Sequence, residues 1–157
     1  MTVTDLIRRH EGCILSPYRD SRGILTVAVG HNLEAHPLPG ETYPLTAARA
    51  EEIFAADLEV VRAALAKALP WLGLPDDAAQ ASPRQAVLLD MGFNLGPGGI
   101  LAWTPTLTLC EAGQWPLAAA HLRGSLWARQ VGPRAQEDAA MLESGLWPDD
   151  AAFPGAC

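Results

Sequence analysis

Long apolar runs, cysteine and positive charge are all scarce in this 157-residue chain, and each shortage narrows what the protein can be. No apolar run approaches the roughly 20 residues of a membrane-spanning helix, so membrane insertion is not expected. The N-terminal stretch MTVTDLIRRHEG lacks the apolar core of a secretory signal, which predicts synthesis and first folding in a cytoplasm. Cys13, Cys110 and Cys157 have no metal-ligand spacing, and we expect two half-buried thiols and one tail thiol rather than a disulfide framework.

Positive charge is scarce as well, because 11 lysines and arginines stand against 18 aspartates and glutamates, for a formal net charge of −7. Nucleic-acid binding is therefore not expected, since it depends on a basic surface that releases counterions. Between Gly113 and Gln136, however, there are arginines and no acidic residue: Arg123, Arg129 and Arg134. This segment predicts either a local basic wall or ordinary solvated arginines on helix faces, and charge alone leaves both open.

The residue patterns near the N-terminus predict a helix followed by a small β region. Residues 3–11 have the apolar spacing of a short amphipathic helix, with a threonine at position 2 or 4 as its cap and Gly12 as its stop. Over residues 16–31, apolar and polar residues alternate on one side of the turn DSRG, which is typical of a β-hairpin. Residues 32–45 are rich in proline and glycine and predict an irregular segment.

The clearest predicted element is a long helix over residues 46–69, with Thr46 as its candidate cap and Pro70 at its end. Further on, Ser82 and a series of prolines and glycines predict only more helices. We therefore predict a mainly helical α+β fold. It forms a single domain over residues 1–157, with a β lobe (12–45), a connecting helix (46–69), a helical lobe (1–11 and 70–147) and a tail (148–157).

Two carboxylates and a hydroxyl in the N-terminal region form a candidate catalytic set. Glu11 ends the first helix, where the negative end of the helix dipole favours the protonated carboxyl that a general acid needs. Asp20 lies beside the turn, where solvent keeps a carboxyl ionised, and Thr26 on the returning strand can hold a water molecule. Two carboxyls in such different surroundings are typical of glycoside hydrolysis. The alternative, judged from spacing alone, is a pair of solvated surface acids.

Three motifs, taken in their order along the chain, resemble the phage-type lysozymes, glycoside hydrolase family 24. The stretch EG…YRDSRGILTVAVGH (residues 11–31) is similar to the family's segment from a catalytic Glu-Gly pair to a Thr and a Gly-His pair. MGFNLG (91–96) resembles its helix with a cleft-facing amide, and SLWARQVGPRA (125–135) resembles the segment where a Trp and an Arg close the cleft wall. The resemblance covers about residues 3–147 and implies a lysozyme-like version of the α+β fold.

The resemblance implies hydrolysis of the β-1,4 bond between N-acetylmuramic acid and N-acetylglucosamine in bacterial peptidoglycan, and so lysis of the cell wall. Glu11 would protonate the leaving oxygen, while Asp20, helped by Thr26, would direct water to the opposite face in an inverting displacement. Arg134 would lie near Glu11. The implied substrate-binding residues are Gly30, Asn94, Trp127 and Arg134.

The resemblance also implies that His31 forms a structural pair with Asp57 on the long helix. His10 and His121 are expected at the surface and on a helix face, and neither a metal nor a cofactor is implied, because no second His or Cys stands at ligand spacing. A monomer is expected. Without a signal sequence, the protein would reach the wall through a holin-type pore or another delivery device.

Two departures from the family keep other functions open. Ala28 stands where the family usually has glycine, and its methyl group is expected to narrow a sugar subsite. The acidic surface also gives little electrostatic attraction to an anionic polymer. One alternative is a non-catalytic lysozyme-fold module for binding or scaffolding. Another is a lytic transglycosylase, which uses a lone carboxyl and is disfavoured by Asp20.

Overall fold

The computed structural model of the chain describes residues 1–149 and residue 157. Helices make up 60% and strands 8% of the residues, and a three-stranded antiparallel sheet lies near the N-terminus. The predicted α+β class is therefore confirmed. Within the described residues, the helices are all too short or too polar to cross a membrane. The predicted tail, 148–157, lies mostly outside the described residues.

The first helix, α1 (Val3–Glu11), carries Glu11 as its last residue. The Thr2 hydroxyl accepts a hydrogen bond from the backbone N–H of Asp5, and the Asp5 carboxylate accepts one from the backbone N–H of Thr2. This reciprocal cap fixes where the helix begins. At the other end, Gly12 adopts a φ of 70° and its N–H donates to the carbonyl of Arg8 at 2.8 Å, so the helix stops directly after Glu11.

The sheet consists of β1 (Ile14–Arg19), β2 (Leu25–Ala28) and β3 (His31–Asn32), in that spatial order. Tyr18 on β1 is the cross-strand partner of Thr26, which in turn lies opposite Asn32. The predicted hairpin is confirmed, with β1 beginning earlier, at Ile14. Since directly opposite residues project from the same face of a sheet, the Tyr18 and Thr26 side chains share one face.

The long helix α2 (Ala47–Ala68) follows the sheet and is about 33 Å long at 1.5 Å per residue. The Thr46 hydroxyl accepts from the N–H of Arg49 at 3.1 Å, which confirms the predicted cap. Two 3₁₀ turns (Pro70–Leu72 and Ala78–Gln80) lead to the remaining helices. These are α3 (Pro83–Leu95), α4 (Pro97–Leu101), α5 (Thr104–Glu111), α6 (Trp115–Arg123), α7 (Leu126–Val131) and α8 (Pro133–Ser144).

Buried apolar side chains form two groups that share α2. The larger lies among the helices and includes Leu65, Leu88 and Met141. The smaller lies between the sheet and the first turns of α2 and consists of Val27, Ala28, Leu45, Ala50 and Ile53. Ile53 belongs to the smaller group and its neighbour Phe54 to the larger one, so successive residues of one helix pack into different cores.

The expectation for the cysteines was wrong. Cys13, which directly follows the first helix stop, forms a disulfide with Cys157, and only Cys110 is a free thiol, buried in the large core. Burial raises the pKa of Cys110 to about 11. The two cysteines are 144 residues apart, so no local sequence pattern predicts that they pair. Only the folded chain brings the two sulfurs together.

Candidate active site

Glu11 lies between a buried arginine and a glycine of the sheet. Its Oε1 accepts a hydrogen bond from Nη1 of Arg134 at 2.6 Å, and its side chain is 19% exposed. Its Oε2 faces Gly30, where a Cβ atom added to the glycine would come within 2.9 Å of that oxygen. The two carboxylate oxygens of Glu11 therefore have different neighbours. Oε1 lies against the guanidinium of Arg134, and Oε2 lies against Gly30, which has no side chain.

The strand connection that carries Gly30 has an unusual backbone. Gly30 has a φ of 66°, and Ala28, two residues earlier, has a φ of 55°, in the left-handed region that side chains disfavour. Ala28 is 1% exposed and its methyl packs in the small core. The expectation that this methyl narrows a sugar subsite is therefore wrong, because it points into the protein interior.

Asp20 shapes the hairpin turn with one of its two carboxylate oxygens. Oδ1 accepts from the backbone N–H groups of Arg22 at 2.8 Å and Ile24 at 2.9 Å. Oδ2 is 3.9 Å from Nε of Arg22 and makes no closer hydrogen bond within the described residues. The turn therefore fixes the direction of the carboxylate while Oδ2 stays available to a ligand or a water molecule.

Tyr18 lies near both carboxylates. Burial raises the pKa of the Tyr18 phenol, and the nearby negative charges of Glu11 and Asp20 raise it further. Thr26, its cross-strand partner, is 5% exposed and its hydroxyl donates to the carbonyl of Ile24 at 2.9 Å. The sheet thus brings Glu11, Asp20 and Thr26 to the surroundings of one tyrosine.

A groove of about 460 Å³ lies between the sheet and the helices, lined by neighbours of these residues and not by Glu11, Asp20 or Thr26 themselves. On the sheet side it is lined by Ile24 and Gly30, and on the helix side by Val60 of α2 and by Phe93 and Asn94 of α3. Because Oε2 of Glu11 lies against Gly30, a molecule bound in the groove would pass close to that oxygen.

Asn94 is held in place by an indole. Its Oδ1 accepts from Nε1 of Trp127 at 2.8 Å, and Trp127 itself packs edge-on against Trp103 with ring centroids 5.9 Å apart. Trp127 is 4% exposed, so its ring does not face the groove, and the expected direct contact between this ring and a sugar is wrong. Trp127 instead orients the Asn94 amide, whose nitrogen makes no hydrogen bond within the part of the chain that the structure describes.

His31 and Asp57 are in contact, as the resemblance implied. His31 Nδ1 donates to Oδ2 of Asp57 at 2.7 Å, and Nε2 donates to the carbonyl of His36 at 2.8 Å. Only the imidazolium form donates from both nitrogens. The hydrogen bond to Asp57 raises the pKa of His31 more than burial lowers it. This pair joins the third strand to the long helix.

The arginines between Gly113 and Gln136 do not form a basic wall. Arg134 is 9% exposed and donates through Nε and Nη2 to both carboxylate oxygens of Asp90, each at 2.9 Å. Arg123 pairs with Glu143 on α8 at 2.7 Å. Two of the three guanidinium groups are therefore neutralised by carboxylates of the same chain.

A second set of polar residues, which no sequence pattern predicted, lies behind Glu11. One of them, His10, was expected at the surface. That expectation was wrong, because the His10 side chain is 7% exposed and its two ring nitrogens lie 3.1 Å from carboxylate oxygens of Asp90 and Glu137. A lone acid in the apolar run AVLLDMGF is a signal that points to Asp90. No comparable signal marks Asp138, which lies buried beside it.

Comparison with known proteins matches the phage lysozyme family over residues 8–139. The chain is 23% identical to probable T4-type lysozyme 1 of Dictyostelium discoideum, with 92% of this chain and 95% of that protein covered. It is 21% identical to probable T4-type lysozyme 2 of the same organism over the same shares.

A viral structural protein is also similar. The chain is 28% identical to the pre-baseplate central spike protein Gp5 of Enterobacteria phage T4 over 92% of this chain. It spans only 28% of the length of that spike protein.

Proposed function

Since this chain belongs to the phage lysozyme family, we propose that it is a muramidase that cleaves the β-1,4 bond between N-acetylmuramic acid and N-acetylglucosamine. The family and the T4-type lysozyme relatives support a lysozyme-type peptidoglycan hydrolase. One observation carries the assignment of the chemistry to this chain's own residues: Oε2 of Glu11 lies against Gly30, and Gly30 lines the groove.

In this proposal Glu11 is the general acid. Oε1 is held by Arg134, so Oε2 is the oxygen that carries the proton to the glycosidic oxygen of a sugar chain in the groove. A positioned acid of this kind contributes about a hundredfold to ten-thousandfold to a rate.

Asp20 and Thr26 act on the opposite side of the scissile bond. Oδ1 of Asp20 is occupied by the turn, so Oδ2 accepts a proton from the attacking water. The Thr26 hydroxyl donates its proton to Ile24, so it helps to hold this water only as an acceptor. Attack from the face opposite to the departing oxygen inverts the anomeric centre. Gly30 and Asn94 contact the sugar chain, Trp127 orients Asn94, and Arg134, which was expected to bind substrate, instead holds Glu11.

The proposal is tested by clearance of bacterial cells stripped of their outer membrane. We expect Glu11→Gln to fold normally and to lose at least about a hundredfold in clearance rate, because an amide has no proton to give. Glu111→Gln is the matched control, since Glu111 is exposed at the end of α5 and is not among the residues that line the groove. Wild-type protein that binds peptidoglycan without clearing cells would instead indicate a binding or scaffold module.

The products decide between the remaining mechanisms. NMR of the first-formed anomer is expected to show the α form, which requires inversion. A β anomer would contradict inversion, and a 1,6-anhydro sugar would indicate a lytic transglycosylase.

We also propose that the protein acts outside the cytoplasm, on the cell wall, after release through a pore or as part of a delivery device. The Cys13–Cys157 disulfide supports this, because disulfides persist in oxidising compartments. Alkylation of free thiols in the denatured, unreduced protein followed by mass spectrometry tests it: protein recovered from the wall fraction should carry one label, at Cys110, and newly made cytoplasmic protein three. Three labels on wall-associated protein would contradict the proposal.

A further inference from the structure

A closed cluster of ionisable side chains lies behind Glu11, on the side away from the groove. It is formed by α1, α3 and α8 and is almost fully buried: Asp90 and Asp138 are 0% exposed. The proposed reaction assigns no role to Asp138. Buried polar groups usually have hydrogen-bond partners, so a buried carboxyl such as Asp138 calls for an explanation.

Asp90 is the hub of this cluster. A carboxylate offers about four lone-pair positions. Nε and Nη2 of Arg134 donate to its two oxygens at 2.9 Å, and Nδ1 of His10 lies 3.1 Å from both of them. The pKa of Asp90 is lowered, because the charges of Arg134 and His10 outweigh the opposing effect of burial. Three side-chain donors, one of them shared between the two oxygens, therefore serve the Asp90 carboxylate.

Asp138 lies beside Asp90. Neither of its carboxylate oxygens accepts a hydrogen bond from any donor among the described residues, and one oxygen each of Asp138 and Asp90 and one ring nitrogen of His10 lie within 4.8 Å of one another. Two carboxylates cannot bond to each other unless one of them carries a proton. A protonated Asp138 donates its O–H to Asp90 and leaves no ionised group without a partner.

The groups around Asp138 leave no cation for a further anion. Among the described residues, the guanidinium groups of Arg9 and Arg134 and both ring nitrogens of His10 are already paired with three carboxylates, those of Glu11, Asp90 and Glu137. An ionised Asp138 would be a fourth anion with no cation opposite it. Burial raises its pKa well above the ordinary value, the charges of Asp90 and Glu137 raise it further, and Arg134 alone opposes them.

A metal cation is a poorer occupant than a proton. His10, Asp90 and Asp138 place possible metal-binding atoms within 4.8 Å of one another. However, the guanidinium of Arg134 already occupies both oxygens of Asp90, and a divalent cation there would face a positive charge in a buried setting.

We propose that Asp138, as a neutral carboxylic acid hydrogen-bonded to Asp90, is a positioning residue for Glu11. Its O–H is a further donor to Asp90, Asp90 binds the guanidinium of Arg134 through both of its oxygens, and Arg134 holds Oε1 of Glu11, whose Oε2 lies against the groove-lining Gly30. The inference rests on the proposed function of Glu11 as the general acid. In this inference Asp138 does not contact the substrate but determines the orientation of the Glu11 carboxyl.

Three substitutions test the role. In Asp138→Asn the amide N–H replaces the acid O–H, so kcat is expected to stay within about twofold of wild type. In Asp138→Val no donor remains, and kcat is expected to fall about tenfold to hundredfold with little change in KM, because the acid is misplaced. Leu142→Ala removes a buried side chain of the same helix that is outside the network, so it should lower stability without lowering kcat.

A spectroscopic measurement tests the proton itself. At about pH 7 an ordinary aspartate is ionised, so the infrared spectrum of wild type should show a neutral carboxylic acid C=O band that Asp138→Asn lacks. No such band, or a wild-type kcat in Asp138→Val, would overturn the proposal. Loss of kcat on adding EDTA, or a gain on adding zinc, would overturn it in favour of a cation.

Failure of the proposed function would be recognised separately. If wild-type protein does not clear cells, the muramidase assignment falls, whatever the infrared band shows. If wild type is active but Asp138→Val matches it, the muramidase assignment stands and the positioning role falls. If Asp138→Val does not fold, two other observations decide. The proposal is refuted if the infrared band is absent from wild type, or if kcat falls by more than about tenfold in Asp138→Asn.

Discussion

The two sides of Glu11 are built in different ways. On the groove side its neighbours come from a short hairpin region shaped by backbone geometry, with Gly30 at a φ of 66° and an aspartate-capped turn at Asp20. On the other side its neighbours come from long helices and are held by buried charge, through Arg134 and Asp90. The sheet region therefore positions its side chains through backbone conformation. The helices position theirs through buried ion pairs.

Breaking the buried side should have the largest effect. Asp90→Asn leaves the buried guanidinium of Arg134 with an amide in place of its carboxylate, so we expect the free energy of unfolding to fall by about 3–5 kcal/mol. Urea unfolding measures it. Asp76→Asn is the control, because Asp76 is exposed and should change stability little. A loss below about 1 kcal/mol would mean that the helical side does not depend on buried charge.

Breaking the groove side should damage activity more than stability. In Gly30→Ala a methyl group would meet Oε2 of Glu11 at 2.9 Å, at a φ that alanine disfavours. We expect clearance to fall about a hundredfold, because the acid is displaced, and the free energy of unfolding to fall by about 1–2 kcal/mol.

The control for that substitution is Gly40→Ala. Gly40 has a φ of 83°, but an added Cβ would meet no atom within 4 Å. It should therefore show a similar loss of stability with full activity. If both variants keep their activity, the contact between Gly30 and Glu11 does not matter for catalysis.

The His31–Asp57 pair, which joins the sheet to the long helix, should have a smaller and pH-dependent effect on the free energy of unfolding. Because its folded-state pKa is raised, His31 stabilises the fold fully below its unfolded value of about 6.5, and this contribution is lost as the pH rises through the folded-state pKa. We expect it to amount to about 1.5 kcal/mol. Urea unfolding of wild type and Asp57→Asn should differ most at about pH 6 and least at about pH 9. An equal difference at both values would contradict the raised pKa.

Local patterns were predictable from the sequence because their causes lie within a few residues. The caps at Thr2, Thr46 and Ser82 and the stop at Gly12 are each made by groups at most four positions apart, and all are present in the structure. The alternation in residues 25–28 likewise marked a strand. The motifs that resembled a family also led to the family that the comparison shows.

What the local patterns missed depends on distant parts of the chain. The sequence suggested a surface position for His10, which instead bonds to residues 80 and 127 positions away. It suggested a groove-facing Trp127, which instead packs against another indole. It suggested free thiols at Cys13 and Cys157, which are joined across 144 residues. Such contacts leave no periodic pattern in the neighbouring sequence.

The sequence by itself determined the order and ends of the elements and the spacing of Glu11, Asp20 and Thr26, because hydrogen bonds to near neighbours and the turn chemistry of single residues decide them. Only the tertiary structure decided the charge environment of Glu11. A carboxyl's protonation depends on which distant groups surround it after water has been removed, and Arg134, Asp90 and Asp138 reach it only when α1, α3 and α8 pack together.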